Sequence, residues 1–168
     1  VLGVLSYQWS RDGSPIDGAT SDSYTLTQED VGAEITVEVI YVDGQGTPES
    51  VMSDPTTAVT NVNDEPTLDA LSDININEDD PEQTVNLTGI TAGDGEVQQL
   101  RVTAVSDNTG LIPDPTVTYT SADSTGTLKF TPVPDQFGTA TITVTVEDGG
   151  LDNNLATPGD NGVINRTV

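Results

Sequence analysis

The chain has 168 residues, a formal net charge of -24, and neither cysteine nor histidine. Without these two residue types there is no disulfide framework, no thiolate nucleophile, no histidine-based catalysis and no zinc–thiolate site. With 28 acidic residues against 4 basic ones, the composition argues against nucleic acid and anionic membrane surfaces as partners. The acidity itself has two explanations, which are solubility in a salty exterior and clustered carboxylates that bind a hard divalent cation.

Apolar and polar residues alternate with a period of two along the first 60 residues, which predicts strands. The predicted strands are 4–11, 23–28, 33–44 and 50–60. A turn follows the first of them at Asp12-Gly13, and Pro55 indicates an edge or a bulge in the last.

The same alternation continues more completely after residue 65, with Gly, Pro, Asp and Asn between the strands. The predicted strands are 70–77, 83–90, 99–106, 116–121, 125–132, 139–148 and 162–168. No segment predicts a helix convincingly, and no apolar run is long enough to insert into a membrane. Seven short strands in about 100 residues are typical of an immunoglobulin-type sandwich.

An internal repeat predicts two units. The run "DVGAEITVEVIYVDG" aligns with "DQFGTATITVTVEDG", so that Asp43-Gly44 matches Asp148-Gly149. We therefore expect an all-β chain of tandem sandwiches, with domains at 1–60 and 66–168 and a linker at 61–65.

The first unit resembles an immunoglobulin domain. Trp9 takes the place of the strand-C tryptophan, Asp12-Gly13 that of the following turn, and Asp30-Val31-Gly32 that of the Asp-x-Gly corner. Because Trp9 lies so near the start, the resemblance implies that this sandwich is truncated, without its first two strands. The sequence begins with Val1 and has no signal-peptide pattern, so we expect a segment of a longer protein.

The second unit, with "DININED" early and "FTPVPDQFGTATITVTVEDGG" late, resembles the cadherin-like tandem repeats of large bacterial surface proteins, including adhesins of the repeats-in-toxin type. The resemblance implies a calcium-stiffened rod of repeated sandwiches that is secreted, lies at the cell surface and often serves adhesion. The partners that it implies are neighbouring repeats of the same chain.

The topology of a seven-stranded sandwich places the loops 91–96 and 147–149 of the second unit at the end nearest the linker. Acidic and amide side chains would meet there with the 27–32 loop of the first unit. The candidate metal ligands are Asn63, Asp64, Glu65, Asp94, Glu96, Asp148, Glu29 and Asp30. With only four basic residues in the chain, we expect no side-chain compensation, and Ca²⁺ is the natural ligand because it accepts many oxygens in irregular geometry.

The linker "NVNDEP" resembles the Asp-x-Asn-Asp-Asn-x-Pro string of cadherin joints. It departs from that string at Asn61 and Glu65 and lacks the spacer before Pro66. The alternative explanation is an ordinary linker in which Asn and Asp form turns and Pro66 sets an extended entry into the next unit. A second acidic run at 77–82, near Asp135, is expected to bind weakly or not at all.

These observations predict a non-enzymatic chain, because no acidic pair is tied to a cleft or an aromatic subsite. The predicted function is a calcium-stiffened structural or adhesion segment of a large bacterial extracellular protein. The alternative is a calcium-dependent carbohydrate-binding module with a cell-surface or matrix polysaccharide as partner. Among the seven aromatic residues, only Phe137 is predicted to lie on a loop.

Overall fold

The computed structural model describes residues 3–168 and contains ten strands in them. Successive side chains of a strand point to opposite faces, which is why the period-two alternation of the sequence produces strands with one apolar face. The only helix in these residues is a 3-10 turn, Gln28–Asp30. The expectation of an all-β chain is confirmed. The chain divides into two compact units, Val1–Asn61 and Val62–Val168.

The strands of the first unit are β1 (Ser6–Arg11), β2 (Ser14–Pro15), β3 (Ile35–Val42) and β4 (Pro48–Met52). They form one antiparallel sheet in the order β2-β1-β3-β4. Asp12 and Gly13 form the two-residue turn between β1 and β2, and both have positive φ, as a tight hairpin of this hand requires.

The register of the first sheet places its aromatic side chains on one face. Tyr7 pairs with Val39 and Trp9 with Val37, so these side chains share one face, which we call the inner face. Ile35 lies on the same face and is buried. The 3-10 turn packs on this side, because Arg11, on the same face of β1, reaches Asp30.

The second unit contains two three-stranded antiparallel sheets. The strands are β5 (Gln83–Thr88), β6 (Leu100–Ser106), β7 (Thr116–Thr118), β8 (Thr125–Phe130), β9 (Ile142–Asp148) and β10 (Val163–Thr167). One sheet has the order β10-β9-β6 and the other β5-β8-β7.

The two sheets of the second unit bury a common core. Leu87 and Leu128 contribute from one sheet, and Val144 and Val146 from the other, and none of these four side chains is exposed to solvent. Burial of each such side chain stabilises the fold by about 1.5–3 kcal/mol. The alternating pattern of β9 therefore fixes which of its faces points into the sandwich.

Two predicted strands are wrong. Residues 23–28 and 70–77 form no strand, although their sequences alternate. In the second segment Leu71 and Ile76 pack against the core, but the segment makes no ladder of backbone hydrogen bonds. Alternation specifies which face of a segment is apolar, whereas a strand also requires a partner at its edge.

Asp43 and Asp148 occupy equivalent places at the ends of the central strands β3 and β9. The Asp43 carboxylate accepts hydrogen bonds from the backbone N–H groups of Gln45 and Thr47. The Asp148 carboxylate accepts them from Gly150 and Gly162. In each case one donor lies two residues after the aspartate and the other lies just before the next strand, so the carboxylate closes the loop between the two strands.

Candidate metal-binding end of the second unit

Asp148 is a buried carboxylate whose hydrogen-bond donors are all neutral. Its side chain is 0% exposed at the end of β9. Asn63 Nδ2 donates to it at 3.2 Å, and the backbone N–H groups of Gly150 and Gly162 donate at 2.9 and 2.8 Å. Burial of a carboxylate without a cation is costly even when hydrogen bonds are made. The negative charge is therefore held at this end of the sandwich by dipoles alone.

A hydrogen-bonded network connects Asp148 to the loop before β6. Gln98 Nε2 donates to Asn63 Oδ1 at 2.6 Å and to Glu96 Oε2 at 2.9 Å. The backbone N–H of Asp64 donates to the same Glu96 oxygen at 3.2 Å. We call Asn63, Asp64, Glu96, Gln98 and Asp148 the pole cluster. The cluster joins three segments that are distant in sequence.

One buried acceptor in the pole cluster, Gln98 Oε1, has no donor. Gln98 Oε1 is a buried atom and makes no hydrogen bond in the structure. A buried carbonyl oxygen without a partner costs about 1–3 kcal/mol. It is also the kind of neutral oxygen that Ca²⁺ accepts together with carboxylates.

Two glycines allow the segments of the pole cluster to approach. A Cβ on Gly162 would lie 2.5 Å from Asp148 Oδ2 and 2.9 Å from Pro66 Cδ. Gly93 has φ +115°, and a Cβ there would lie 2.6 Å from Cβ of Asp64. The close packing around the buried Pro66 anchors the entry of the chain into the second unit.

Glu147 points to the other side of β9 and is compensated differently. Its carboxylate accepts a hydrogen bond from Asn161 Nδ2 at 3.0 Å and forms an ion pair with Arg101. The hydrogen bond from Asn161, followed by the interaction with Arg101, holds the pKa of Glu147 below its usual value. Two neighbouring acids on one strand thus have distinct environments: Glu147 is paired with an arginine, whereas Asp148 accepts hydrogen bonds from neutral donors.

The structure brings together some of the predicted ligands and separates others. Asn63, Asp64, Glu96 and Asp148 lie in the pole cluster, connected through amide and backbone groups. Asp94 and Glu65 are exposed and make no hydrogen bond or ion pair within the described chain. Across residues 3–168, no three acidic side chains lie close enough together to hold a metal ion by themselves.

Glu29 and Asp30 lie in the first unit, where Arg11 compensates them. Arg11 Nε donates to Asp30 Oδ1 at 2.7 Å, and Arg11 Nη1 lies 3.3 Å from Glu29 Oε2. Tyr24 Oη and the Thr27 N–H donate to the other Asp30 oxygen. The expectation that no side chain could compensate the clustered acids is therefore wrong for Asp30. The assignment of Glu29 and Asp30 as calcium ligands stays a prediction.

Sequence reasoning missed Gln98, Gly162 and Asn161. Gln98 follows Glu96 by two residues, a spacing that could have placed both side chains on one side of the loop. Nothing in the sequence indicates that Gly162 lies against Asp148, because that approach depends on how the 149–162 loop returns. Near the second acidic run, the Asp135 N–H donates to Asp79 Oδ1 at 3.2 Å, so these residues are neighbours as expected.

Comparison with known proteins identifies the family of the chain. No curated protein matches it. A solved structure, an ICAM-5 D1–D4 ectodomain fragment, is 16% identical with a TM-score of 0.31, and the match covers 98% of this chain and 44% of that one. No helix in residues 3–168 has the length and apolarity needed to cross a membrane. A family model described as a bacterial Ig domain matches residues 63–157, more than half of the sequence, and the chain therefore belongs to the bacterial Ig domain family.

Proposed function

We propose that the chain is a structural or adhesion segment of a large bacterial secreted or cell-surface protein, stiffened by Ca²⁺ at the pole cluster. Bacterial Ig domains occur in bacterial surface proteins, which supports the extracellular location. The family is typically structural or adhesive, which supports a non-enzymatic role. The neighbouring repeats of the same chain are its proposed partners.

The observation that carries the calcium proposal is the unbalanced charge at the pole cluster. Asp148 is fully buried with only neutral donors, and Gln98 Oε1 is a buried acceptor without a donor. A cation at this end of the sandwich would compensate the charge of Asp148, and Gln98 Oε1 is a neutral oxygen that it could accept. Ca²⁺ suits them because it takes 6–8 oxygens from carboxylates, amides and backbone carbonyls in flexible geometry, whereas Mg²⁺ requires a stricter octahedron.

The residues that would hold the ion are those of the pole cluster, with Glu65 and Asp94 on the adjoining segments. The ion would supply positive charge, and the chain supplies the positions of the oxygens. Asn63 and Asp64 belong to the segment that enters the second unit, so their engagement restrains that segment. The result would be a stiffer connection to the preceding repeat, because a restrained entry segment has fewer conformations.

Calcium titration of the whole chain tests the proposal. We expect a heat of binding with Kd of about 10⁻⁴–10⁻³ M, as for extracellular modules. At a free Ca²⁺ concentration of 100 times Kd, binding should stabilise the second unit by about 2.7 kcal/mol, which a chelator removes. The absence of both a heat of binding and a melting shift would refute the calcium site.

Asp148→Asn and Asp43→Asn form a matched pair for this titration. Each removes the charge of an aspartate that closes a loop with two backbone N–H groups. Of the two, only Asp148 belongs to the pole cluster, so only Asp148→Asn should abolish the calcium-dependent melting shift. If Ca²⁺ raises the melting temperature of Asp148→Asn as much as that of Asp43→Asn, the carboxylate of Asp148 has a structural role alone.

The carbohydrate-binding alternative has one supporting observation, the 91% exposure of Phe137 on its loop. An exposed aromatic ring can stack on a sugar ring. A glycan array read with and without chelator tests this function. Binding that Phe137→Ala abolishes would favour it, and hydrolysis of any glycan would contradict the non-enzymatic role.

A further inference from the structure

The 149–162 loop ends on the only Asn-Gly pair of the chain, Asn161-Gly162. In such a pair the backbone nitrogen of the glycine can attack Cγ of the asparagine, because glycine has no side chain to hinder the approach. The N–Cγ bond forms, the Cγ–Nδ2 bond breaks, and ammonia leaves with the proton of the attacking nitrogen. Water then opens the succinimide at either of its carbonyl groups and leaves aspartate or isoaspartate. The reaction therefore needs nothing except water and a flexible backbone.

The closed loop opposes each part of this reaction. The Gly162 N–H donates to Asp148 Oδ1 at 2.8 Å, and Asn161 Nδ2 donates to Glu147 Oε1 at 3.0 Å. The attacking nitrogen and the leaving amide are thus held by two different carboxylates. Within residues 3–168, no group donates to the buried Asn161 Oδ1, so the negative charge that develops on this oxygen during attack would lack stabilisation. Asn161 is therefore protected while the loop is closed.

Packing explains why a labile pair stands at this position. A Cβ on Gly162 would lie 2.5 Å from Asp148 Oδ2 and 3.2 Å from Cα of Glu65, so a larger residue does not fit without displacement. Asn161 supplies Glu147 with a neutral donor, whereas an aspartate would present a second carboxylate. The contacts of the closed loop thus require two residues that react with each other once the loop opens.

We propose that Asn161 is a self-modification site, which is protected in the closed 149–162 loop and deamidates when this loop opens. The loop is held shut at its base by Asp160 Oδ2, which accepts the Leu151 N–H at 2.9 Å, and both residues are exposed. Exposed segments of this kind open locally more readily than the sandwich unfolds. Local opening frees the Gly162 nitrogen and the Asn161 side chain together.

The product does not fit the closed loop. An aspartate at this position would face Glu147 as a second carboxylate in place of a donor, and Arg101 would have to compensate both. Isoaspartate adds a carbon to the main chain just before Val163, the residue that pairs with Glu147 at the start of β10. The modified loop therefore stays open and withdraws the Gly162 donor from Asp148. Deamidation makes a reversible opening of this end of the sandwich permanent.

Deamidation rates measured in a chelator test the proposal independently of the calcium site. The whole chain is incubated in one mildly alkaline buffer with and without urea, and Asn161 is followed by peptide mapping with mass spectrometry. We expect reaction in urea and a rate about 100-fold lower in the folded chain, because only the open loop reacts. Asn161→Gln should react in neither condition, since its amide would have to close a larger ring. Equal rates in the two conditions, or no reaction at Asn161 in urea, would overturn the proposal.

Asp160→Ala and Asp114→Ala form a matched pair that separates loop opening from global unfolding. Each removes an exposed carboxylate that accepts one backbone N–H at 2.9 Å, from Leu151 in the first case and from Ser106, in a different loop, in the second. With each rate divided by that of the same variant in urea, Asp160→Ala should accelerate deamidation of the folded chain at least about fivefold. Asp114→Ala should leave the rate unchanged. Equal acceleration by both would overturn the role of the loop.

Asn161→Asp imitates the product, and Asn161→Ala is its control. Both substitutions remove the donor to Glu147, but only Asn161→Asp adds a charge. Hydrogen exchange of the Gly162 amide, read by NMR, reports whether the loop is closed. We expect the protection of this amide to fall further in Asn161→Asp than in Asn161→Ala. Protection equal to that of the unchanged chain in Asn161→Asp would overturn the proposal, because the product would then fit the closed loop.

Discussion

Substitution of Asp30 by Asn is expected to destabilise the first unit selectively. The Asp30 side chain is 0% exposed and accepts hydrogen bonds from Arg11 Nε, Tyr24 Oη and the Thr27 N–H at 2.7, 3.0 and 2.7 Å. Asn keeps the shape but loses the charge, and its amide nitrogen faces a donor. Hydrogen bonds to charged groups contribute about 1.5–3 kcal/mol each, but Arg11 can turn toward water when its partner loses the charge. We therefore expect the free energy of unfolding of the first unit to fall by about 2–4 kcal/mol.

Urea unfolding monitored by Trp9 fluorescence measures this loss, because the only tryptophan of the chain lies in the first unit. A unit of this size has a total stability of only several kcal/mol, so the midpoint should fall markedly. Glu29→Gln is the matched control. Glu29 pairs with the same arginine but its side chain is 81% exposed, so its loss should cost less than about 1 kcal/mol. Equal midpoint shifts for the two variants would refute the reasoning.

The same carboxylate makes the first unit sensitive to acid. Burial alone would raise the pKa of Asp30, but the hydrogen bonds from Thr27, Arg11 and Tyr24 outweigh it and hold the pKa below its usual value. The unfolded chain therefore binds a proton at a higher pH than the folded one. The stabilisation is complete above about pH 5 and is lost as the pH falls through the folded-state pKa. Asp30→Asn should flatten this dependence, and an unchanged pH profile would contradict it.

Three further predictions concern the second unit. Leu128→Ala should lower the free energy of unfolding of this unit by about 2–5 kcal/mol, measured by calorimetry, because the side chain is fully buried. In the same assay Val97→Ala, at an 89% exposed position, should change it by less than about 0.5 kcal/mol. Gly93→Ala should cost more than about 1 kcal/mol, since φ +115° is strained for alanine, and a neutral effect in chemical denaturation would show that the loop relaxes. Asn161→Ala should raise the pKa of Glu147 toward its usual value, and a carboxyl NMR titration that finds no rise would assign the lowered pKa to the ion pair alone.

Local sequence patterns were sufficient for most strands. The predicted segments 83–90, 99–106, 125–132 and 139–148 contain β5, β6, β8 and β9, because alternation and flanking turn residues are properties of a few consecutive residues. The Asp12-Gly13 turn was equally predictable, since few residues adopt positive φ in a two-residue hairpin. All-β class and the apolar face of each strand follow from this local information.

Only the tertiary structure decided which segments have partners. Residues 23–28 and 70–77 alternate as well as any strand, yet within residues 3–168 neither segment forms a ladder of backbone hydrogen bonds. Asp30 forms an ion pair with Arg11, nineteen residues away, and Asp148 accepts a hydrogen bond from Asn63, 85 residues away. Charge counts cannot locate such pairs, because ion pairing and backbone pairing depend on approach in space. The sequence determines where apolar and acidic groups can point, and the folded chain determines what they meet.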